Sequence, residues 1–203
     1  GPVSQLITVK DKYSAAIETA LGAAVQNIVV DNETDAKRAM GFLKEHRAGR
    51  ATFLPITAIK GRVLSEQGLD DQYGFVSIAS DLVSYDNKYS EIIRWLLGRT
   101  AVAEDIDSAI AIAKKYSYRF RIVTLDGQVI NAGGSMTGGS RVQNAGILSR
   151  GNEIERLKGS LASMQKELDG MLSDYKLLSE DASAAKAELE GAEGDLLRAK
   201  EEN

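Results

Sequence analysis

The sequence predicts an α/β head built of two similar halves, followed by one long coiled-coil helix. Three observations carry this reading. Short apolar runs alternate with helix-spaced segments through the first part of the 203-residue chain. The pattern returns at an offset of 76, with Tyr13-Ser14 matching Tyr89-Ser90, Ile17 matching Ile93 and Leu21-Gly22 matching Leu97-Gly98. From Ile154 onward, apolar and small residues recur in alternating steps of three and four.

Gly1-Pro2 reads as the scar of a tag-cleaving protease and is set aside from the fold. The first half, residues 3–59, opens with the apolar run Leu6–Val9 and a helix over Tyr13–Val25, spaced through Ala16, Ile17, Ala20 and Leu21. A strand follows at Asn27–Val30. Asp31 or Asn32 caps a helix over Glu33–His46 that Gly49 stops. Ala51–Leu54 is a strand ended by Pro55. Residues 60–87, with Gly68, Gly74 and a weak strand signal at Leu82–Tyr85, read as a linker with partial structure of its own. The second half, residues 88–149, repeats the order: helix Lys88–Leu97, strand Ala101–Ala103, helix Asp105–Tyr116 capped by Asp105 or Asp107, strand Phe120–Leu125. Asp126-Gly127 then predicts a type I′ hairpin into Gln128–Ile130.

Residues 150–203 form the arm, with Asn152 as N-cap candidate. Its seam is Ile154, Leu157, Leu161, Met164, Leu168, Met171, Tyr175, Leu178, Ala182, Ala185, Leu189, Ala192, Leu196 and Ala199, the 3.5-residue period of a left-handed coiled coil. So narrow a stripe needs a second helix. With Ile154 as position a, the g positions are Glu153, Ser160, Glu167, Asp174, Asp181, Glu188 and Asp195. Antiparallel identical arms would set acid against acid there, whereas a parallel self-pair is tolerable, so the pattern disfavours an antiparallel homodimer and allows a different antiparallel helix with basic flanks. Gly159, Gly170, Gly191 and Gly194 fall on outer positions, each costing roughly 1 kcal/mol against alanine, which makes the arm weak alone.

The net charge of −4 divides unevenly. Residues 151–203 carry 7 Lys/Arg against 13 Asp/Glu, and residues 1–150 carry 18 against 16. The head's basic excess is small for a dedicated DNA-binding domain. The lack of cysteine excludes disulfides and thiolate metal sites and fits a reducing compartment. No apolar run reaches the ~18 residues of a membrane span. The single histidine, His46, lies at a helix end and offers no metal or acid–base set; Trp95 reads as core or rim of the second half. No residues stand out as a catalytic set, and neither a cofactor nor a metal is expected.

Gly133-Gly134-Ser135-Met136-Thr137-Gly138-Gly139 allows three readings. A phosphate cradle needs a lysine after the second glycine pair, where Ser140 stands instead. A flexible loop is the bland alternative. The reading that fits best is an edge strand with glycines where another backbone comes close, offering unpaired N–H and C=O groups to a second chain.

These pieces resemble the hinge of structural-maintenance-of-chromosomes (SMC) proteins, most like the bacterial homodimeric kind. The resemblance rests on Ala16-Ile17-Glu18-Thr19-Ala20-Leu21-Gly22, Gly49-Arg50-Ala51-Thr52-Phe53-Leu54-Pro55, Val123-Thr124-Leu125-Asp126-Gly127 and the glycine run, in that order. It implies a non-enzymatic domain that joins two subunits of a chromosome-organising ATPase, whose ATP-binding heads lie elsewhere. It also implies a homodimer that uses both halves and has Gly133–Gly139 at the contact. An N-terminal arm would pack antiparallel on this one, and the setting would be cytoplasmic and chromosome-associated.

Lys114, Lys115, Arg119 and Arg121 cluster with Tyr116, Tyr118 and Phe120. Such a cluster fits nucleic-acid phosphates with an aromatic stacked on a base. It equally fits a helix end, where cations favour the dipole, followed by a strand with alternating exposed arginines. The resemblance implies weak DNA contact near the arm junction, where Arg141 and Arg150 are the nearby basic residues. Arg50 is a dimer or DNA contact or a structural ion pair. The alternative to a dimerisation hinge is a DNA-binding module working by electrostatic capture. A nucleotide-binding enzyme using the glycine run is a third reading.

Overall fold

A computed structural model describes residues 1–139 and 147–201 in two compact units, Gly1–Asn152 and Glu153–Asn203. In the first, a short helix α1 (Val3–Leu6) leads into β1 (Ile7–Val9), α2 (Asp11–Leu21) and a 3-10 turn at Gly22–Gln26. β2 (Ile28–Val30), α3 (Glu33–Glu45) and β3 (Phe53–Pro55) complete the first half. β4 (Phe75–Ile78) and β5 (Val83–Tyr85) follow. The second half holds α4 (Ser90–Leu97), β6 (Thr100–Ala103), α5 (Ile106–Lys115), β7 (Arg121–Thr124), β8 (Val129–Ile130) and β9 (Met136–Thr137). The mixed helices and sheets are the expected fold class.

The duplication is structural. β2-α3-β3 and β6-α5-β7 are each a helix between two parallel, paired strands. Both helices begin on a capping side chain: Asn32 accepts from the Asp35 N–H and Asp105 from the Ser108 N–H, each worth ~1 kcal/mol. Both also end alike. Arg47 N–H donates to Lys44 O and Ala48 N–H to Leu43 O, with Arg47 at φ +50°. Ser117 N–H donates to Lys114 O and Tyr118 N–H to Ala113 O, with Ser117 at φ +53°. This paired bond closes a helix on a left-handed residue. α3 therefore ends at Glu45 and the chain turns away at Arg47, before the Gly49 expected to stop it.

β1 and β5 pair antiparallel in a register that maps onto itself under the offset of 76: Ile7 faces Tyr85, Thr8 faces Ser84, and Val9 faces Val83. A pseudo-twofold relation between the halves thus runs through Thr8 and Ser84. The halves also share a core, in which Ile17, Leu21 and Val29 pack with Ile92, Ile93, Val102 and Val123. A second cluster gathers around α5, with Ile112, Tyr116, Phe120, Ile122 and Ile130.

Four details depart from expectation. Residues 60–87 supply β4, which pairs with β6, and β5, which pairs with β1, so much of this stretch is built into the sheets. Pro55 lies within β3 opposite Val30, tolerated because β3 is an edge strand and lacks a partner for the missing N–H. Gly1 and Pro2 are part of the fold, since Gly1 exchanges bonds with Val29 and Pro2 bridges Ile28. The β7–β8 hairpin is not type I′. Its loop is Leu125-Asp126-Gly127, closed by Gly127 N–H to Thr124 O and Thr124 N–H to Gln128 O, and of the central pair just Gly127 has positive φ (+89°). That is a three-residue loop with a glycine bulge.

α6 spans Ile147–Glu201. In its first turn Leu148 is buried in the shared core and its N–H donates to Glu18 Oε1 at 2.6 Å. Along the second unit the seam lies open: Leu161 is 66% exposed, Tyr175 72% and Leu178 72%. Long helices owe most of their stability to packing of such a face. Limited proteolysis in dilute solution is expected to trim α6 back toward Arg150 while residues 4–139 stay intact; resistance of residues 170–200 would contradict this.

Candidate protein interface and basic surface

β9 ends the five-stranded sheet, ordered β4-β6-β7-β8-β9. Its register against β8 sets Thr137 opposite Val129 and Met136 opposite Ile130. One edge of β9 is therefore free of strand partners among the described residues. Both its side chains are exposed, Met136 by 53%.

The glycine pairs bracket this strand and do not lie within it, contrary to the sequence reading of one glycine-bearing strand. Gly133 (φ +86°) and Gly134 (φ +96°) form the turn from β8. There Asn131 N–H donates to Ser135 O, Gly134 N–H to Asn131 O and Gly133 N–H to Tyr118 O. Left-handed backbone costs an L-residue roughly 1–2 kcal/mol, so this pair serves the internal turn. Beyond β9, a Cβ on Gly138 would overlap the Gln128 side-chain oxygen. That oxygen accepts from Gly139 N–H at 3.0 Å, and Gln128 Nε2 donates to Gly139 O at 3.3 Å. Gln128 thus prolongs the ladder past the last strand residue, a role that no sequence motif marked. Below it, the Thr124 hydroxyl donates to Asp126 and holds that carboxyl under the usual aspartate range.

The first half carries an apolar cleft of about 660 Å³ between α3 and the β2–β3 pair, with Ile28, Phe42, Leu43 and Phe53 among its lining residues. Phe42 is 57% exposed, stacked on His46 at 4.1 Å. His46 Nδ1 lies 3.0 Å from Phe42 O, so the lone histidine closes the end of α3. Arg50 is exposed on the loop leading to β3.

The basic cluster does not act as one surface. Arg121 turns inward, donating from both terminal nitrogens to Ala20 O at 2.8 Å and Thr19 O at 3.0 Å. Burial pushes its guanidinium below the ordinary value. Its role is to satisfy the C-terminal carbonyls of α2, which has no basic residue in its last turn. It is not one of the alternating exposed arginines. Arg119 pairs with Glu66 at 3.1 Å and also donates to Tyr116 O. Lys115 donates to Gln72 Oε1 at 2.8 Å. Lys114 and Arg150 are exposed, and Arg141 lies outside the described residues. Among the described residues no group of His, Asp and Glu is placed to hold a metal, and no helix is long and apolar enough to cross a membrane.

Residues 1–113 match the family described as the SMC proteins Flexible Hinge Domain. The chain is 42% identical over 188 residues to the chromosome partition protein Smc of Lactiplantibacillus plantarum, covering 89% of this chain and 16% of that protein. It is 40% identical over 182 residues to that of Bacillus subtilis, covering 88% and 15%. The chain thus spans about one sixth of the length of these relatives. Among solved structures, an asymmetric dimer of the Geobacillus stearothermophilus SMC hinge domain superposes with a TM-score of 0.73 and 47% identity, over 82% of this chain and 68% of that one. The Pyrococcus furiosus SMC hinge domain gives 0.60 and 32%, over 71% and 74%. With its duplicated α/β halves and long C-terminal helix, the chain belongs to the hinge domain family of SMC proteins.

Proposed function

We propose that this chain is the homodimerisation hinge of a chromosome-organising SMC ATPase, without catalytic chemistry of its own. The observation that carries this reading is the free edge of β9 in one half together with the exposed apolar cleft in the other. If β9 of each protomer meets the partner's β3 side, two equal contacts close a twofold ring that covers the free β9 edge of both protomers. Ser135, Met136 and Thr137 then supply the contact, and the flanking glycines let the backbones approach. The Geobacillus hinge was crystallised as a dimer, which supports the same assembly here. Light scattering at micromolar concentration tests it: twice the chain mass is expected, and a monomer overturns the proposal.

The open seam of α6 takes an antiparallel helix with basic flanks, the N-terminal arm of the same subunit. The setting is cytoplasmic and chromosome-associated, with the ATP-binding heads outside this segment.

A weak DNA contact is a secondary reading, favoured by exposed Lys114 and Lys115 at the end of α5. Two phosphate contacts give a salt slope of about −1.8 on duplex DNA. Lys114→Glu with Lys115→Glu is expected to abolish such binding without changing the oligomeric mass. Unaltered affinity would remove this pair and leave Arg150 and Arg141 to be tested.

A further inference from the structure

β9 reaches the end of the sheet with a backbone rung missing from its own ladder. In an antiparallel pair, opposed residues alternate between those that exchange backbone bonds and those that do not. Asn131 N–H donates to Ser135 O, which makes that pair a bonded rung. The register then sets Val129 opposite Thr137 in the next bonded rung, with the Ile130–Met136 pair unbonded between them. The backbone groups of Met136 and Gly138 therefore point away from β8, and they are what β9 offers a second chain. The following bonded rung would join Gly127 to Gly139, but the hairpin has taken Gly127, whose N–H donates to Thr124 O.

Gln128 fills that rung with its side chain. Its Oε1 accepts from Gly139 N–H at 3.0 Å and its Nε2 donates to Gly139 O at 3.3 Å, as a facing strand residue would. The other Nε2 hydrogen goes to Asp126 Oδ2 at 3.3 Å, and Asp126 is held in turn by the hydroxyl of fully buried Thr124. A carboxylate can only accept, so Asp126 fixes which end of the Gln128 amide faces it and leaves the oxygen for Gly139 N–H. Gly138 completes the fit. A Cβ there would overlap Gln128 Oε1 and, its chain neighbours apart, would meet nothing but Gln128 within 4 Å among the described residues. The Val129–Thr137 rung on one side and the Gln128 clamp on the other thus hold the outward groups of Gly138 in strand geometry before any partner arrives. An unclamped strand end would have to be ordered at association, which weakens binding about tenfold per residue.

We propose that Gln128 is a positioning residue for homodimerisation, acting through Gly139 to present Gly138 to the partner's backbone. The inference rests on the dimer reading with β9 as the contact strand.

Two measurements test it separately. In Met136→Lys/Thr137→Lys, where the strand contact is removed, amide exchange followed by NMR reads the clamp within one protomer. Gln128→Ala is expected to speed exchange at Gly139 at least about threefold, with the amides of β6 and β7 unchanged. Gly138→Ala should do the same, because its methyl displaces the Gln128 amide. Unchanged exchange at Gly139 overturns the clamp. In the otherwise native chain, sedimentation equilibrium reads the dimer. Gln128→Ala should raise the dissociation constant about tenfold for each contact, about 100-fold for the ring, while circular dichroism matches the parent. Gln128→Glu keeps the length and the acceptor for Gly139 N–H, loses the donor to Gly139 O and sets a second negative charge against Asp126. It should weaken the dimer at least as much. A dissociation constant within about twofold of the parent in both Gln128 variants overturns the positioning role and leaves the dimer reading standing. A monomeric parent at micromolar concentration overturns the dimer reading itself, and this inference with it.

Discussion

Met136→Lys with Thr137→Lys is expected to convert the proposed dimer into a folded monomer. Both side chains are exposed in β9, at the end of the sheet, so the exchange removes nothing from either core cluster of the chain. In the proposed ring each β9 meets a partner backbone and an apolar cleft, where an ammonium has no counter-charge apart from the Asp35–Arg38 pair already formed at 2.7 Å. Leaving an uncompensated charge at such a contact costs roughly 3 kcal/mol. The ring repeats the contact twice, for a total on the order of 6 kcal/mol and a dissociation constant raised roughly 10⁴-fold. Circular dichroism should match the parent while the light-scattering mass halves. A variant that stays dimeric would exclude β9 from the contact.

This pair is a cleaner probe than the bracketing glycines. Leucine at Gly133 or Gly134 forces positive φ on a branched side chain and strains the β8–β9 turn even in a monomer. A substitution at Gly138 displaces Gln128 from Gly139 and shortens the ladder. Loss of the dimer in such variants would not separate a broken contact from a broken turn. Two lysines on the exposed strand do make that separation.

What the sequence made legible was local. Asn32 and Asp105 announced helix starts because a cap bonds an amide three residues on, and the seam of α6 announced itself by period. The offset of 76 became a self-mapping register between β1 and β5 because duplicated strands that pair at a pseudo-axis must share it. What stayed hidden depended on distant partners. β4 has weak apolar alternation, and its place is fixed by β6 some 25 residues later. Arg121 looked like an exposed member of an alternating strand, yet its acceptors are 101 and 102 residues away in the chain. Trp95 stood in a helical pattern that gives its face but not its neighbours, and the segment at Gly61 that packs against the α4 backbone there carries no periodic signal. A central edge strand could be read in the glycine run, but its glycines could not be assigned to turn, clamp and approach without Tyr118 and Gln128 in place.

Arg121→Met should cost more stability than any surface exchange in the head. Methionine keeps most of the side-chain volume and removes both guanidinium bonds to the Thr19 and Ala20 carbonyls of α2. Hydrogen bonds to a charged group contribute ~1.5–3 kcal/mol each. Against this stands relief of the partly buried charge, whose Nε makes no bond and is fully enclosed. The first effect prevails because two bonds are lost for one charge removed, for a net loss of ~3 kcal/mol. In a head of this size that lowers the melting temperature by roughly 6–12 °C. Since Arg121 reaches from β7 of one half to α2 of the other, the loss should appear as one cooperative transition and not as separate melting of the halves. Arg121→Lys should recover part of it, with one ammonium able to reach one carbonyl well. A melting temperature within about 1 °C of the parent would show that this guanidinium is dispensable to the fold, and Arg121 would then return to the candidates for nucleic-acid contact.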